Sequence, residues 1–128
     1  MTKSEFNYGK NSFVKPAEFA LIKNKQIQET TSTLEEYFKK KAEDIPSKLQ
    51  YYFFSDSNEK IVTLGNVLLQ MKNHISFDAT EDSTSLFVVI GEIDNPNLSI
   101  AFMIEWTNNM CELGFKHDCE FGGWELIY

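Results

Sequence analysis

Two short apolar segments constrain the fold of this chain more than any other feature. Residues 49–54 read LQYYFF and residues 85–91 read SLFVVIG, so apolar side chains occupy consecutive positions in both. Strands buried on both faces carry such runs, whereas a strand that is wet on one face alternates. Residues 75–81, ISFDATE, alternate in this way. We therefore predict central strands at 49–54 and 85–91 and an edge strand that begins at Ile75.

Two stretches with helical periodicity alternate with these strands. The first has apolar residues at Ile61, Leu64, Leu68 and Met71, and the second has them at Ile100, Met103, Trp106, Met110 and Leu113. Such spacing places one apolar stripe along a helix. Asp56 and Glu59 have capping-box spacing before the first stripe. Asn95-Pro96 predicts the start of the second helix and Gly114 its end.

A last strand at 119–128 completes the order β-α-β-β-α-β over residues 47–128. This order predicts an α+β, ferredoxin-like antiparallel sheet with spatial order 4-1-3-2 and two helices on one face. In that arrangement the first and third strands are central, as their composition also indicates. We expect residues 47–128 to form one globular unit.

Residues 1–46 differ in composition and are predicted to form an N-terminal extension. A helix is expected at about 33–43, capped by Thr31 or Ser32, with Leu34, Tyr37, Phe38 and Ala42 on its apolar face. Residues 17–22 fit either a helix after Pro16 or a strand. Residues 1–15 are polar and are expected to be loosely held.

The charge of the chain is acidic and unevenly distributed. There are 12 lysines, no arginine and 19 acidic residues, for a net charge of −7. Residues 1–50 hold nine lysines and seven acids, whereas residues 51–128 hold three lysines and twelve acids. An acidic surface repels nucleic acid and favours basic partners, although it also keeps a small protein in solution. Both interpretations remain open.

The composition argues against most catalytic chemistry. Without arginine the chain lacks the planar fork that binds carboxylate or phosphate by two parallel bonds. Cys111, His117 and Cys119, with His74 as a further ligand, could bind a metal, but their spacing has no tight C-x2-C pair. Carboxylate pairs such as Glu81-Asp82 and Glu92-Asp94 lie at strand ends, where turns commonly place acids. We predict no enzyme, no cofactor and no metal.

The last strand carries adjacent glycines in EFGGWELIY at 120–128. Glycine weakens a strand unless a bulge or a close backbone approach requires it. We expect Gly122-Gly123 to bend an edge strand so that Trp124 packs on a helix or on the N-terminal segment. The alternative is that Trp124 is an anchor at a contact surface.

The chain resembles the RraB-like family, the regulators of ribonuclease activity of the B type. The resemblance covers about residues 45–128 and depends on 49–54, the helix 58–73, Ile75-Ser76-Phe77 and residues 120–124. Phe121, Gly123 and Trp124 match a YDGW-like signature in which Gly122 replaces the Asp. The resemblance implies a small acidic inhibitor that binds an RNA-degrading endonuclease without chemistry of its own.

Taken together, these features predict a non-catalytic regulator that binds a basic protein partner, such as a ribonuclease. The alternative is an immunity or antitoxin-type protein that neutralises one cognate toxin, and a homodimer formed through an exposed sheet face also remains open. No membrane and no direct nucleic-acid contact is expected, and the cytoplasm is the predicted compartment. The preferred contact residues are Asp78, Glu81, Asp82, Glu92, Asp94 and Trp124.

Overall fold

The fold was analysed in a computed structural model, which describes residues 12–40, 45–79 and 86–128. The elements, in chain order, are α1 (Pro16–Lys39), β1 (Lys48–Ser55), α2 (Asn58–Gln70), β2 (His74–Ala79), β3 (Phe87–Asp94), α3 (Ile100–Lys116) and β4 (Glu120–Ile127). Within these ranges no helix is both long and apolar enough to cross a membrane.

The strands form one four-stranded sheet in the order β4-β1-β3-β2, and all three neighbouring pairs are antiparallel. The α+β class and the antiparallel sheet are thus confirmed. Tyr52 lies opposite Ile90 of β3 and opposite Gly123 of β4, so β1 is central. The two densest apolar segments of the sequence are the two central strands.

One face of the sheet, here called the covered face, packs against α2 and α3. Leu49, Tyr51 and Phe53 of β1 lie on this face and are at most 1% exposed. They share one apolar core with buried residues of the two helices, including Leu64 and Met103. The side chains at 49, 51 and 53 share a face because side chains alternate along a strand with a period of two.

The N-terminal helix differs from the prediction. Instead of a helix at about 33–43, one helix runs from Pro16 to Lys39, and residues 41–44 lie outside the described chain. Pro16 begins the helix because its fixed φ suits the first turn, where no N–H partner is needed. Thr31, predicted as a cap, lies inside α1, where its hydroxyl donates to the Ile27 carbonyl at 2.9 Å. Leu34 is fully buried in the core.

The ends of the other helices also differ in detail. Ser57 caps α2 in place of the predicted Asp56, and Ser99 caps α3 in place of Asn95. Gly114 does not end α3. It accepts a hydrogen bond from the Cys119 N–H at 2.8 Å, while Asp118 adopts φ 54° and its N–H bonds to the Phe115 carbonyl. These are the two bonds of a Schellman motif, so Asp118 occupies the left-handed position that glycine usually fills.

The burial of the central strands is one-sided, in contrast to the prediction that they would be buried along most of their length. Tyr51 and Phe53 are fully buried, whereas Tyr52 and Phe54 on the opposite side of β1 are partly exposed. Val88 and Ile90 of β3 follow the same pattern. Apolar residues at consecutive positions therefore reflect one packed face and one apolar face that remains accessible.

Candidate protein-binding face

The accessible side of the sheet, here called the open face, is assembled from alternate residues of the four strands. The strand register places on it Lys48, Gln50, Tyr52, Phe54, His74, Ser76, Val88, Ile90, Glu92, Asp94 and Glu125. All of these residues are partly or fully exposed. Successive side chains along a strand point to opposite faces of the sheet. Each of these residues is next in sequence to a residue of the covered face and therefore lies on the open face.

The centre of the open face is apolar. Tyr52 lies opposite Ile90, and Phe54 lies opposite Val88. Directly opposed side chains in an antiparallel pair are close enough to contact each other, so these four form one patch. Aromatic and aliphatic groups at a partly exposed centre are typical of the core of a protein interface.

A polar network borders this patch. Glu92 accepts from Lys48 Nζ at 3.4 Å and from Gln50 Nε2 at 3.2 Å. The Tyr52 hydroxyl lies 2.7 Å from Glu125 Oε1 and 2.8 Å from Gln50 Oε1. Partial burial of the phenol, followed by the hydrogen bond and the charge of Glu125, raises the pKa of Tyr52 to about 12. The network therefore holds its side chains in place while leaving negative charge at the edge of the patch.

The border of the open face is acidic on balance. Glu92, Asp94 and Glu125 are carboxylates, and Lys48 is the one lysine that the register places there. Asp94 Oδ2 lies 3.4 Å from His74 Nε2, and both side chains are exposed. Exposed pairs of this kind contribute little to stability, because water screens them. Their charge remains available to a partner.

The structure brings together part of the predicted contact set. Glu92 and Asp94 lie at one end of β3 on the open face, whereas Asp78 pairs with Val88 at the other end. Asp94 lies six positions after Val88 along the strand, which corresponds to roughly 20 Å. Glu81 and Asp82 lie outside the described residues. The predicted set therefore spans the length of the sheet and does not converge on one point.

Trp124 lies on the opposite side of β4 from this patch. Its indole N–H donates to Thr30 Oγ1 of α1 at 2.8 Å, and Thr30 in turn shares a 2.9 Å hydrogen bond with Thr107 of α3. Both threonines are at most 1% exposed. The expectation that the tail would place Trp124 on the N-terminal segment is confirmed.

Each glycine of the tail has its own physical reason. The register between β1 and β4 shifts after Tyr52, so that Gly122 is the extra residue of a bulge. A Cβ at Gly122 would lie 2.5 Å from the Phe54 ring, so a larger residue here would force that ring to move. Gly123 has φ 111°, which L side chains rarely adopt. The bulge is what turns Trp124 towards α1.

Sequence reasoning missed the most connected polar side chain, Asp118. Its carboxylate accepts the backbone N–H groups of Ser12, Phe13 and Val14 at 2.7–3.0 Å, and Lys60 Nζ lies 2.5 Å from it. Burial opposes the charge of Asp118, but the bonds from Lys60 and from these N–H groups outweigh it and lower its pKa. The contact joins residues more than 100 positions apart, so no local pattern could have indicated it. Asp118 fastens the start of α1 to the α3–β4 turn.

The cysteines are buried and unfavourable as nucleophiles. Burial raises the pKa of both Cys111 and Cys119 to about 12, which disfavours the reactive thiolate. Burial, followed by the Lys116 charge, lowers the pKa of His117. In the described ranges no group of three or more His, Cys, Asp or Glu side chains is arranged to hold a metal ion.

Compared with known proteins, the chain matches no protein-family model, and no curated protein is significantly similar to it.

Proposed function

We propose that this chain is a non-catalytic regulator that captures a basic protein on the open face of its sheet. The observation that carries the proposal is the arrangement of that face, where Tyr52, Phe54, Val88 and Ile90 form an apolar centre beside the carboxylates of Glu92, Asp94 and Glu125. An apolar centre supplies affinity, and a charged border steers encounter and selects the partner.

The charge of this border favours a different protein over a second copy of the chain. Two copies that met through the open face would bring like carboxylates together, and each chain has a net charge of −7. Like charges facing each other across an interface oppose association. A cationic surface instead meets Glu92, Asp94 and Glu125 with complementary charge.

We further propose that the domain is ferredoxin-like. The strand order β4-β1-β3-β2, the antiparallel pairing throughout and the packing of α2 and α3 on one face all support this assignment. Its resemblance to the RraB-like family, carried by residues such as Phe121, Gly123 and Trp124, makes an RNA-degrading endonuclease our preferred partner. Cys111 and Cys119 are free thiols, which suits a reducing compartment such as the cytoplasm.

The proposal is tested by capture from native lysate at low and high salt, followed by kinetics with the purified partner. We expect the double variant Glu92→Lys/Asp94→Lys to lower the association rate about tenfold or more at low salt, with a smaller loss at high salt. If the partner is a nuclease, its RNA cleavage should fall when the wild-type chain is added. If a toxin is recovered instead, the immunity alternative replaces the nuclease regulator.

The matched control is Glu105→Lys, an exposed position on α3 away from the open face. A second acid on the helix side, Glu59→Lys, makes the control equal in net charge when the two are combined. If this control slows capture as much as the double variant does, only net charge matters, and the open face is not the binding surface. A partner whose association rate is unaffected by salt would also contradict the proposal.

A further inference from the structure

The outer edge of β4 and the side of α1 that faces it form a second surface, which meets the open face at Tyr52 and Glu125. In the described chain, β1 is the one strand that pairs with β4, so β4 is a terminal strand of the sheet. The outward N–H and C=O groups of a terminal strand can pair with another extended segment. We propose that this edge accepts an extended, lysine- or arginine-rich peptide segment of the basic partner as an added strand.

The space beside β4 supports this proposal. A cavity of about 270 Å³ lies between α1 and the bulge, lined by residues that include Gln26, Glu29 and Gly123. A second cavity of about 490 Å³ continues along the strand, between Glu36 and Glu125. Both cavities are lined by Thr33 and Trp124, so they form one continuous groove, here called the α1–β4 groove.

The geometry of the groove suits a strand better than a helix or a compact ligand. β4 is eight residues long, and its last four residues, 124–127, keep a regular register beyond the bulge. An added strand directs alternate side chains to opposite sides. On one side these would meet α1 near Tyr37 and Thr33, and on the other they would meet Glu125 at the border of the open face.

The charges of the groove select a cationic segment. Glu29, Glu36 and Glu125 line it, with Lys40 as the one basic residue among the lining side chains. The chain has no arginine. The carboxylates of the groove would thus repel an acidic segment along most of its length. Lysine or arginine side chains at alternate positions of a basic segment would instead form ion pairs with these carboxylates.

This inference rests on the proposed function, because it assigns a basic segment of the same partner to a second surface. The probe is a short synthetic peptide of alternating lysine and threonine, compared with the glutamate–threonine peptide and with versions N-methylated at alternate backbone nitrogens. Fluorescence anisotropy reports binding, and the indole N–H resonance of Trp124 reports location. Trp106, which packs on Tyr51 in the core, gives the reference resonance.

We expect the lysine peptide to bind and to shift the Trp124 resonance but not that of Trp106. N-methylation on the pairing edge should abolish binding, because the added strand loses its backbone donors. Glu36→Lys should weaken binding roughly tenfold, since it replaces an attraction by a repulsion. Glu35→Lys is the matched control, because Glu35 is the neighbouring acid on α1 and lines a different surface, beside Ile100.

The groove assignment is overturned if the peptide does not bind, if both N-methylated forms bind like the parent, or if Glu35→Lys weakens binding as much as Glu36→Lys. The open-face variant Glu92→Lys/Asp94→Lys separates the two proposals. It should bind the peptide like the wild type while losing partner capture. Loss of partner capture in that variant, together with an absence of peptide binding to the wild type, would remove the groove and leave the proposed function standing.

Discussion

The two faces of β1 show how one strand serves two purposes. Tyr51 and Phe53 are fully buried beneath the helices, whereas Tyr52 and Phe54, one position further along in each case, are partly exposed. All four are aromatic, so composition does not distinguish the stabilising face from the accessible one. The difference is created by the helices, which pack on one side of the sheet. An apolar residue that no helix covers is available for recognition.

The comparison is tested most directly by truncating one aromatic on each face. Phe53→Ala should lower the free energy of unfolding by about 3–5 kcal/mol, because it removes a fully buried ring that packs on Phe121 and Tyr51. Phe54→Ala should cost about 1 kcal/mol or less, because its ring is partly exposed. Urea denaturation measures both. If the two variants lost equal free energy of unfolding, Phe54 would contribute to stability as a buried residue does, and the distinction between the two faces would be wrong.

The covered face also depends on the attachment of α1, and Asp118 tests that attachment. Asp118→Asn keeps a carbonyl acceptor and tolerates the left-handed backbone, but it removes the negative charge opposite Lys60. We expect a loss of about 2 kcal/mol, the usual cost of a buried hydrogen bond to a charged group. Asp56→Asn is the control, because Asp56 contacts the same Lys60 at 3.2 Å but is largely exposed. A comparable loss in the two variants would contradict the role assigned to Asp118.

The same carboxylate gives a pH dependence with a definite sign. The pKa of Asp118 is lowered below its ordinary value of 3.8, so its contribution to stability is fully present above that value. The contribution is lost as the pH falls through the lowered pKa of the folded state. The stability difference between wild type and Asp118→Asn should therefore be constant near neutral pH and shrink in strong acid. A difference that is already lost near neutral pH would point to another group.

A smaller effect is expected where α1, α3 and β4 meet. Thr30→Val preserves shape but leaves the Trp124 N–H and the Thr107 hydroxyl without their shared partner. We expect a loss of about 1–2 kcal/mol in thermal or urea denaturation. Thr31→Val, the next residue, removes only a hydrogen bond within α1 and should stay within about 0.5 kcal/mol of the wild type.

The smallest effect is expected on the open face itself. Tyr52→Phe removes the hydroxyl near Glu125 and Gln50 and should cost less than about 1 kcal/mol, because the site is partly exposed. In the wild type the raised pKa of about 12 keeps the Tyr52 phenol neutral above its ordinary pKa of 10. Its contribution is present below pH 10 and is lost as the pH rises through about 12. Absorbance titration of wild type against Tyr52→Phe isolates this one phenol.

Much of the sheet could be predicted because the hydropathy of a short segment indicates whether its strand is central or at an edge. Segments 49–54 and 87–91 lie side by side in the middle of the sheet, and the alternating segment at 75–79 lies at its edge. The one-sided burial of Tyr52 and Phe54 could not be read in the same way. A continuous apolar run does not show whether a second layer covers both sides of the strand.

The N-terminal helix and the polar contacts were harder to predict, for different reasons. Thr31 and Ser32 are good caps by residue type, yet the contacts of α1 with α3, such as the stacking of Phe19 on Phe115, extend the helix back to Pro16. Tertiary packing thus overrides local preference. Asp118 and Thr30 act through partners that are distant in sequence. Trp124 was identified because two glycines before an aromatic are a local signal.

The bulge at Gly122 shifts the alternation of side chains along β4 by one residue. Every residue after it has exchanged sides relative to an uninterrupted strand, because the side-chain period is two. If all the residues of β4 were kept but paired without the bulge, the indole of Trp124 would lie on the open face and the carboxylate of Glu125 under the helices. Deleting Gly122 would instead give a regular strand with both side chains on their present sides. The bulge therefore determines that Trp124 packs against α1 and that Glu125 lies on the open face, where the proposed partner binds.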